Sequence, residues 1–271
     1  MRHIRHPSLF LGLWLVCLTA AGPALATPCG GDFTAWLETF RHDAARQGLS
    51  PRMLAANLAD VSHDPKVIAL DRRQHVFKQS FEQFAGRMIS PGRLKKGAKL
   101  LRQHQATLER IEQRFGVPAP VIVAIWGLET DYGANTGKHP AIRALATLAH
   151  DCRRTELFQR ELISALRIVQ RGNLRAEEMR GAWAGELGQT QFLPSSYIKY
   201  AVDFDGNGRP DLIHSVPDVL ASTANYLKGY GWRRGEPWHE GSRNFAVLKE
   251  WNKAEVYRKT IALFAGRLAG D

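Results

Sequence analysis

Apolar residues recur at three- and four-residue spacing through most of the chain, which is the period of an α-helix. Phe33, Trp36, Leu37 and Phe40 follow this spacing and predict a helix that ends before Gly48. Ser-Pro pairs at 50–51 and 90–91 supply an N-cap followed by proline at the first helical position. Further helices are predicted over 66–88, 91–115, 141–150, 154–171 and 216–229. Regular strand alternation is nearly absent, so the pattern indicates a mainly α fold.

One stretch departs from this amphipathic pattern. Residues 121–128 are apolar or small without a break, and Glu129 follows them directly. Periodicity alone does not distinguish a buried strand from a buried helix, but the helices around the stretch favour a helix. Desolvation at the end of such a run raises the pKa of a carboxyl group, and an acid that keeps its proton near neutral pH can donate it to a leaving group. A structural helix whose solvent end carries Glu129 explains the same pattern.

Length and composition limit the possible classes of protein. A chain of 271 residues corresponds to one large domain or two small ones, and 44% apolar with 23% charged residues is typical of a folded globular protein. The formal net charge of +11 predicts anionic partners, such as wall glycan, lipid head groups or nucleic acid. The basic residues are scattered rather than clustered, which argues against nucleic-acid binding.

The N-terminus has the pattern of a secretory signal peptide. Two arginines precede an apolar stretch from Leu9 to Ala21, and Ala24-Leu25-Ala26 supplies a small-x-small cleavage site, so cleavage is expected after Ala26. A retained anchor is the alternative, but the stretch is shorter than a bilayer span, and stable membrane insertion is not expected. Cys29 and Cys152 remain after cleavage, and an even pair in an oxidising compartment predicts a disulfide.

The segment 181–197 is rich in glycine and then in amides. Gly181, Gly185 and Gly188 permit close backbone approach, and Gln189 to Gln191 offer amide and hydroxyl groups. Such a segment suits a polar polymer that passes along a wall of the protein. A simple loop before a helix is the alternative.

The next segment matches the first half of a calcium-binding EF-hand loop. It has oxygen ligands at loop positions 1, 3 and 5, glycine at 6 and aspartate at 9, but position 12 is His214 rather than glutamate. Asp218 lies further on and can close the ligand shell. A turn without a metal is the alternative, whereas a cation would relieve the repulsion between the acids, and Ca²⁺ suits an all-oxygen set better than Mg²⁺. The predicted ligands are Asp203, Asp205, Asn207, Arg209, Asp211 and Asp218.

Three motifs in this order resemble those of the lytic murein transglycosylases of the B type, glycoside hydrolase family 103. They are Trp126-Gly127-Leu128-Glu129-Thr130, the segment from Gly185 to Tyr197, and the Asp203–Asp211 loop followed by Ala224-Asn225-Tyr226. The resemblance implies a lysozyme-like, mainly α transglycosylase domain with additional N-terminal helices and the EF-hand-like loop. The expected organisation is a signal peptide over 1–26 and a catalytic domain over 27–271, with a helical N-terminal part at about 30–115, a core at about 116–232 and a C-terminal helical part at about 245–271.

The resemblance also implies an activity and residue roles. The expected enzyme is a periplasmic lyase that cleaves the β-1,4 bond between MurNAc and GlcNAc and leaves a 1,6-anhydro-MurNAc end. It needs no cofactor for the chemistry, and the Ca²⁺ expected in the EF-hand-like loop would be structural. Its partners would be peptidoglycan glycan strands and cell-wall machinery proteins. Glu129 is the implied acid and then base, and the implied substrate-binding residues are Gln189, Gln191, Tyr226, Trp251 and Tyr257.

Three positions depart from the family pattern. Ala182 stands where many relatives have serine, Glu186 stands where a small residue is common, and Trp251 stands where tyrosine is frequent. Two other functions remain open at this point. A hydrolytic muramidase would need a positioned water and usually a second acid, and a non-catalytic peptidoglycan-binding protein would use the groove and the basic surface alone.

Overall fold

The computed structural model describes residues 27–73 and 79–270. The expected signal peptide, residues 1–26, lies outside the described residues. The described part forms α1 (Phe33–Arg46), α2 (Pro51–Leu58), α3 (Pro65–Arg72), α4 (Phe81–Met88), α5 (Pro91–Gln103), α6 (Gln105–Phe115), α7 (Ala119–Thr130), β1 (His139–Pro140), α8 (Ala141–His150), α9 (Thr155–Gln170), β2 (Arg180–Gly181), α10 (Pro194–Tyr200), α11 (Val216–Gly229), α12 (Arg243–Trp251) and α13 (Glu255–Ala269). The mainly α fold is confirmed, and β1 and β2 pair as a two-stranded antiparallel ribbon.

Two predicted helices are each divided in the structure. The region 66–88 contains α3 and α4, because Ser80 begins a new helix with a capping box in which it exchanges hydrogen bonds with Gln83. The region 91–115 is divided at His104, whose φ of −105° and ψ of 18° leave the helical region. The His104 ring makes an edge-to-face contact with Trp126, with ring centroids 6.1 Å apart. Both single-helix predictions were wrong because periodicity continues across a break when both helices face the same core.

The apolar stretch is the central helix α7. Every residue from Val121 to Leu128 is buried, and the helix packs against α5, α6, α11 and α13. A helix that is apolar on all sides is stable only when neighbours cover it all round. The interpretation as a helix is confirmed, and it leaves Glu129 as the first charged side chain at the end of the core.

The disulfide between Cys29 and Cys152 is confirmed. It joins the segment before α1 to the connection between α8 and α9, and Gly30 N donates to His150 O at 2.9 Å beside it. The bridge spans 123 residues of sequence. In the chain-entropy model, a loop of that length stabilises the fold by about 5 kcal/mol.

No helix in the described residues is long and apolar enough to cross a membrane.

Candidate active site

Glu129 lies in the last turn of α7, where the chain reverses direction. Asp131 and Tyr132 both adopt left-handed backbone angles, with φ of 53° and 61°. This turn directs Asp131 away from Glu129, toward Arg93 Nε at 3.3 Å and Lys96 Nζ at 3.7 Å. Asp131 is therefore an ion-pairing residue rather than a second acid beside Glu129.

Two side chains from the C-terminal helices hold the Glu129 carboxyl group. Trp251 Nε1 donates to Glu129 Oε1 at 2.8 Å, and Tyr257 OH donates to the same oxygen at 2.9 Å. These are the hydrogen bonds that described residues make to this carboxyl group, so Oε2 is the oxygen left for a proton or a ligand. The arrangement fixes the orientation of the acid through donors on α12 and α13.

Burial dominates the electrostatics of Glu129. The pKa of Glu129 is raised from 4.5 to about 7; desolvation is the largest cause, the hydrogen bonds from Trp251 and Tyr257 lower the pKa, and the charge of Glu186 raises it. A carboxyl group with this pKa is populated in both protonation states at neutral pH. It can therefore donate a proton in one step and accept one in the next.

The neighbours of Glu129 are expected to move its pKa in opposite directions. Tyr257→Phe removes a hydrogen bond that favours the carboxylate, so the pKa of Glu129 should rise. Glu186→Gln removes a negative charge, so the pKa should fall. Titration of ¹³C-labelled glutamate side chains by NMR measures both shifts. Glu177→Gln, a 66% exposed surface residue, is the matched control and should leave the titration unchanged. Shifts of the same sign in the two variants would contradict this account.

A cavity of about 400 Å³ opens beside Glu129 and is called the Glu129 cavity below. Its lining is formed by Glu129, Ala182, Glu186, Gln191, Phe192, Leu193, Ser196, Tyr226, Glu250, Trp251 and Asn252. Tyr226 and Trp251 meet with ring centroids 5.0 Å apart, and Phe192 packs on both. Aromatic faces beside carboxyl, amide and hydroxyl groups are suited to a sugar, which has apolar faces and polar edges.

Two of the expected substrate-binding residues have fixed polar groups in this lining. Gln191 has φ of 53°, and its Nε2 donates to Thr136 O at 3.1 Å and Gly188 O at 2.8 Å. Because both partners are carbonyl oxygens, they identify the amide nitrogen, and the amide oxygen is left as an acceptor. Tyr226 OH donates to Glu250 O at 2.6 Å. Both side chains are thus held in position before any ligand arrives.

The expectation for Gln189 was wrong. Its side chain is buried away from the Glu129 cavity, where Oε1 accepts from Trp126 Nε1 at 2.9 Å and Nε2 donates to Ile213 O at 2.9 Å. Both halves of the amide are occupied, so Gln189 ties α7 to the segment before α11. Gln189, Thr190 and Gln191 are three polar residues in a row. The backbone turns at Gln191, which has a positive φ, and of the three only Gln191 lines the Glu129 cavity.

The expected role of Tyr257 also changes. Tyr257 is not among the residues that line the Glu129 cavity, and its hydroxyl contacts Glu129 instead of an open position. It is a positioning residue for the acid. Trp251 both lines the cavity and donates to Glu129.

Sequence reasoning missed several residues of the lining. Glu250 and Asn252 flank Trp251, and Ser196 lies in the first turn of α10. Their proximity to Trp251 and Gln191 in sequence was the available signal, but which neighbours face the cavity depends on how α10 and α12 pack.

The predicted close backbone approach in the glycine-rich segment is present. A Cβ atom at Gly181 would collide with the carbonyl oxygen of Glu186, and one at Gly188 would collide with the carbonyl of Leu212. Gly181 and Phe192 both bridge to Leu187, which folds the segment back on itself. The glycines therefore place Glu186 and Gln191 on the same cavity.

The EF-hand-like loop precedes α11. Oxygen atoms of Asp203, Asp205 and Asp218 lie within 4.8 Å of one another, which fits a single cation. Asp218 is fully buried and accepts from the backbone N–H groups of Phe204 at 2.7 Å and Asp205 at 3.1 Å. The donor set consists of carboxylates and thus suits a hard cation such as Ca²⁺.

The structure corrects part of the predicted ligand set. Asp211 accepts from Ile213 N and His214 N, both at 2.9 Å, and lies outside the acidic cluster, so it caps the following turn. Arg209 stands at loop position 7, where an EF-hand uses the backbone carbonyl, so it stays a predicted ligand although its guanidinium donates to Asn173 O at 3.3 Å. Asn207 stays beside the cluster, since its backbone N–H donates to both Asp203 and Asp205 at 3.1 Å.

Comparison with protein families identifies one match over most of the chain. The transglycosylase SLT domain matches residues 32–241. The chain is also similar to membrane-bound lytic murein transglycosylase B of Escherichia coli (strain K12), with 38% identity over 155 residues. That match covers 57% of this chain and 43% of the relative, so it spans less than half of the relative's length.

Two solved structures have the same fold. SltB3 from Pseudomonas aeruginosa in complex with NAG-anhNAM-pentapeptide has a TM-score of 0.84 and 32% identity, over 89% of this chain and 80% of that chain. The lytic transglycosylase Slt35 of Escherichia coli in complex with calcium has a TM-score of 0.79 and 25% identity, over 90% and 96%. The expected lysozyme-like fold is therefore confirmed.

Proposed function

The chain belongs to the transglycosylase SLT domain family, and we propose that it cleaves the β-1,4 bond between MurNAc and GlcNAc in peptidoglycan without adding water. The product carries a 1,6-anhydro-MurNAc end. The observation that carries this proposal is Glu129, a carboxyl group with a pKa of about 7, at the wall of a cavity lined by aromatic and polar side chains. The SltB3 structure with an anhydro-muramyl fragment supports the same product.

One carboxyl group can serve both steps of this reaction. Protonated Glu129 donates its proton to the glycosidic oxygen as the bond to the anomeric carbon of MurNAc breaks. The N-acetyl oxygen of MurNAc stabilises the positive charge at that carbon. Glu129 then accepts the proton of the C6 hydroxyl group, whose oxygen bonds to the anomeric carbon. The acid is restored, and no water is consumed.

The neighbouring residues have distinct roles in this proposal. Trp251 and Tyr257 hold Oε1, which leaves Oε2 to exchange the proton. Tyr226 and Trp251 offer ring surfaces to the sugars, and Gln191 offers its amide oxygen to a hydroxyl or amide donor. Ala182 lines the cavity and provides no hydroxyl group there.

Product analysis tests the proposed reaction. Purified peptidoglycan is incubated with the protein, and the released muropeptides are analysed by mass spectrometry. We expect anhydro ends, which lack one water relative to hydrolysis products. Reducing MurNAc ends would instead indicate a hydrolytic muramidase, and intact strands that remain bound to the protein would indicate a non-catalytic wall-binding protein.

The same proposal places the enzyme in the periplasm. The segment 1–26 has the pattern of a cleaved signal peptide, and the Cys29–Cys152 disulfide fits an oxidising compartment. The substrate, the glycan strands of the wall, lies in that compartment.

We also propose that the loop before α11 binds Ca²⁺ in a structural role. Asp203, Asp205 and Asp218 would hold the ion, with Asn207 beside them. The Slt35 structure in complex with calcium supports this assignment. The ion would neutralise a cluster of like charges and tie the loop to α11, and it takes no part in the proposed chemistry. The calcium dependence of thermal unfolding tests the site.

A further inference from the structure

The Glu129 cavity is acidic although the protein is basic. Three glutamates line it, Glu129, Glu186 and Glu250, and no lysine or arginine is among the described residues of its lining. The whole chain carries a formal net charge of +11. The basic outer surface attracts anionic groups, whereas an acidic cavity attracts cationic ones. The cavity therefore favours groups that donate hydrogen bonds or carry positive charge.

Glu186 contributes to this lining a carboxyl group with one buried oxygen that is unpartnered in the described part of the chain. The residue is partly exposed as a whole, but its Oε2 is buried and has no hydrogen-bond partner among the described residues. The cation whose charge acts on Glu186 is Arg154, which donates to Asp71 through Nη2, while its buried Nε has no partner among the described residues. Burial raises the pKa of Glu186, backbone N–H groups and Arg154 oppose the rise, and Glu161 adds to it. A buried carboxylate oxygen without a donor is costly, so a ligand that supplies a donor gains affinity.

The backbone of Glu186 is fixed while its carboxyl group can turn. The bridge between Gly181 and Leu187, and the contact that excludes a Cβ atom at Gly181, hold the main chain in place. The terminal torsion of a glutamate is broad and roughly twofold, so its two oxygens can exchange positions at low cost. Glu186 and Ala182 both line the Glu129 cavity, and Ala182 offers no hydroxyl group of its own there.

We propose that Glu186 binds an ammonium group of the wall polymer and makes this enzyme favour strands that carry free amines. The inference rests on the proposed function. An ammonium group supplies both a charge-assisted hydrogen bond and the counter-charge that lets Glu186 ionise. Two parts of peptidoglycan can carry such a group, a glucosamine that has lost its acetyl group and the side chain of a diamino acid in the stem peptide.

Chemical acetylation of the substrate tests this inference. The initial rates are measured on amine-bearing peptidoglycan, on the same material after acetic anhydride has acetylated its amines, and on de-N-acetylated glycan stripped of stem peptides. We expect acetylation to raise the KM of the wild type about tenfold with little change in kcat. An acetylated amine has no positive charge, so it cannot pair with the Glu186 carboxylate when the substrate binds. The general attraction of a basic protein predicts the opposite, since acetylation makes the polymer more anionic.

Variants separate recognition from a structural effect. Glu186→Gln keeps the size of the side chain but not its charge, and its KM should be the same for both forms of the substrate. Glu186→Asp should retain part of the preference, and the exposed-surface control Glu177→Gln should retain all of it. Thermal unfolding of each variant checks that it is folded, and the wild-type comparison does not depend on any variant.

Each outcome has one meaning. A preference for stem-free de-N-acetylated strands assigns the ammonium to the sugar, and a preference confined to stem-bearing strands assigns it to the peptide. A wild-type KM that acetylation leaves unchanged, or a Glu186→Gln variant as sensitive as the wild type, would overturn the inference. Anhydro ends would still be produced in that case, whereas their absence from every substrate would refute the proposed function itself.

Discussion

Replacing Glu129 with glutamine is expected to lower the rate of anhydro-end formation about 10³-fold, which is within the range that general acid–base catalysis contributes. The amide has the shape of the acid and keeps an oxygen to accept from Trp251 and Tyr257, so the fold should be retained. It has no proton of suitable acidity to give to the glycosidic oxygen. The measurement is the initial rate of release of 1,6-anhydro products from purified peptidoglycan.

The pH dependence of the wild type belongs to the same test. The reaction begins with protonated Glu129, so activity should fall as the pH rises through about 7, the pKa of this group. Glu177→Gln, at an exposed position outside the lining of the Glu129 cavity, should have the wild-type rate and pH profile. A Glu129→Gln variant that is folded and retains more than a tenth of the wild-type rate would show that another group donates the proton.

Calcium is expected to raise the midpoint of thermal unfolding, with an increase of about 5 °C at 100 times the dissociation constant. At that concentration a ligand that binds only the folded state adds about 2.7 kcal/mol, and 1 kcal/mol shifts the midpoint of a domain of this size by about 2 °C. The physical cause is the close approach of Asp203, Asp205 and Asp218, whose like charges repel unless a cation lies between them. Calorimetry after removal of metal with a chelator measures the effect.

A single substitution in the loop should remove the calcium effect. Asp205→Asn deletes one charge at the cluster, whereas Asp60→Asn deletes an exposed charge elsewhere and serves as the control. Mg²⁺ should give a smaller increase, since it demands a tighter octahedral shell. An equal calcium response in Asp205→Asn and the wild type, or none in the wild type, would exclude this site.

The hydrophobic pattern predicted most of the helices because an amphipathic helix turns one face toward the core, and its apolar residues then recur at helical spacing. Residues 121–128, together with the helices predicted around them, indicated the buried helix α7 with a desolvated carboxyl group at its end. The disulfide followed from the pair of cysteines that remains after the expected cleavage, and the acidic loop followed from its spacing. These features depend on local sequence or on simple counting, so they do not require knowledge of the tertiary structure.

The errors concern contacts between distant parts of the chain. The donors to Glu129 lie 122 and 128 residues away in sequence, so no local pattern distinguishes Tyr257, which orients the acid, from Tyr226, which lines the cavity. Gln189 and Gln191 are two residues apart and have opposite roles because the backbone turns between them. His104 and Ser80 interrupt helices whose apolar spacing continues on both sides.

The donors to Glu129 have a consequence for how the site is completed. Trp251 lies on α12 and Tyr257 on α13, and both lie beyond residue 241, where the match to the family ends. Without these two helices, the carboxyl group at the end of α7 has neither its two donors nor the cover of α13. A chain truncated after residue 241 would therefore lack an oriented carboxyl group, although it would contain the whole segment that matches the family.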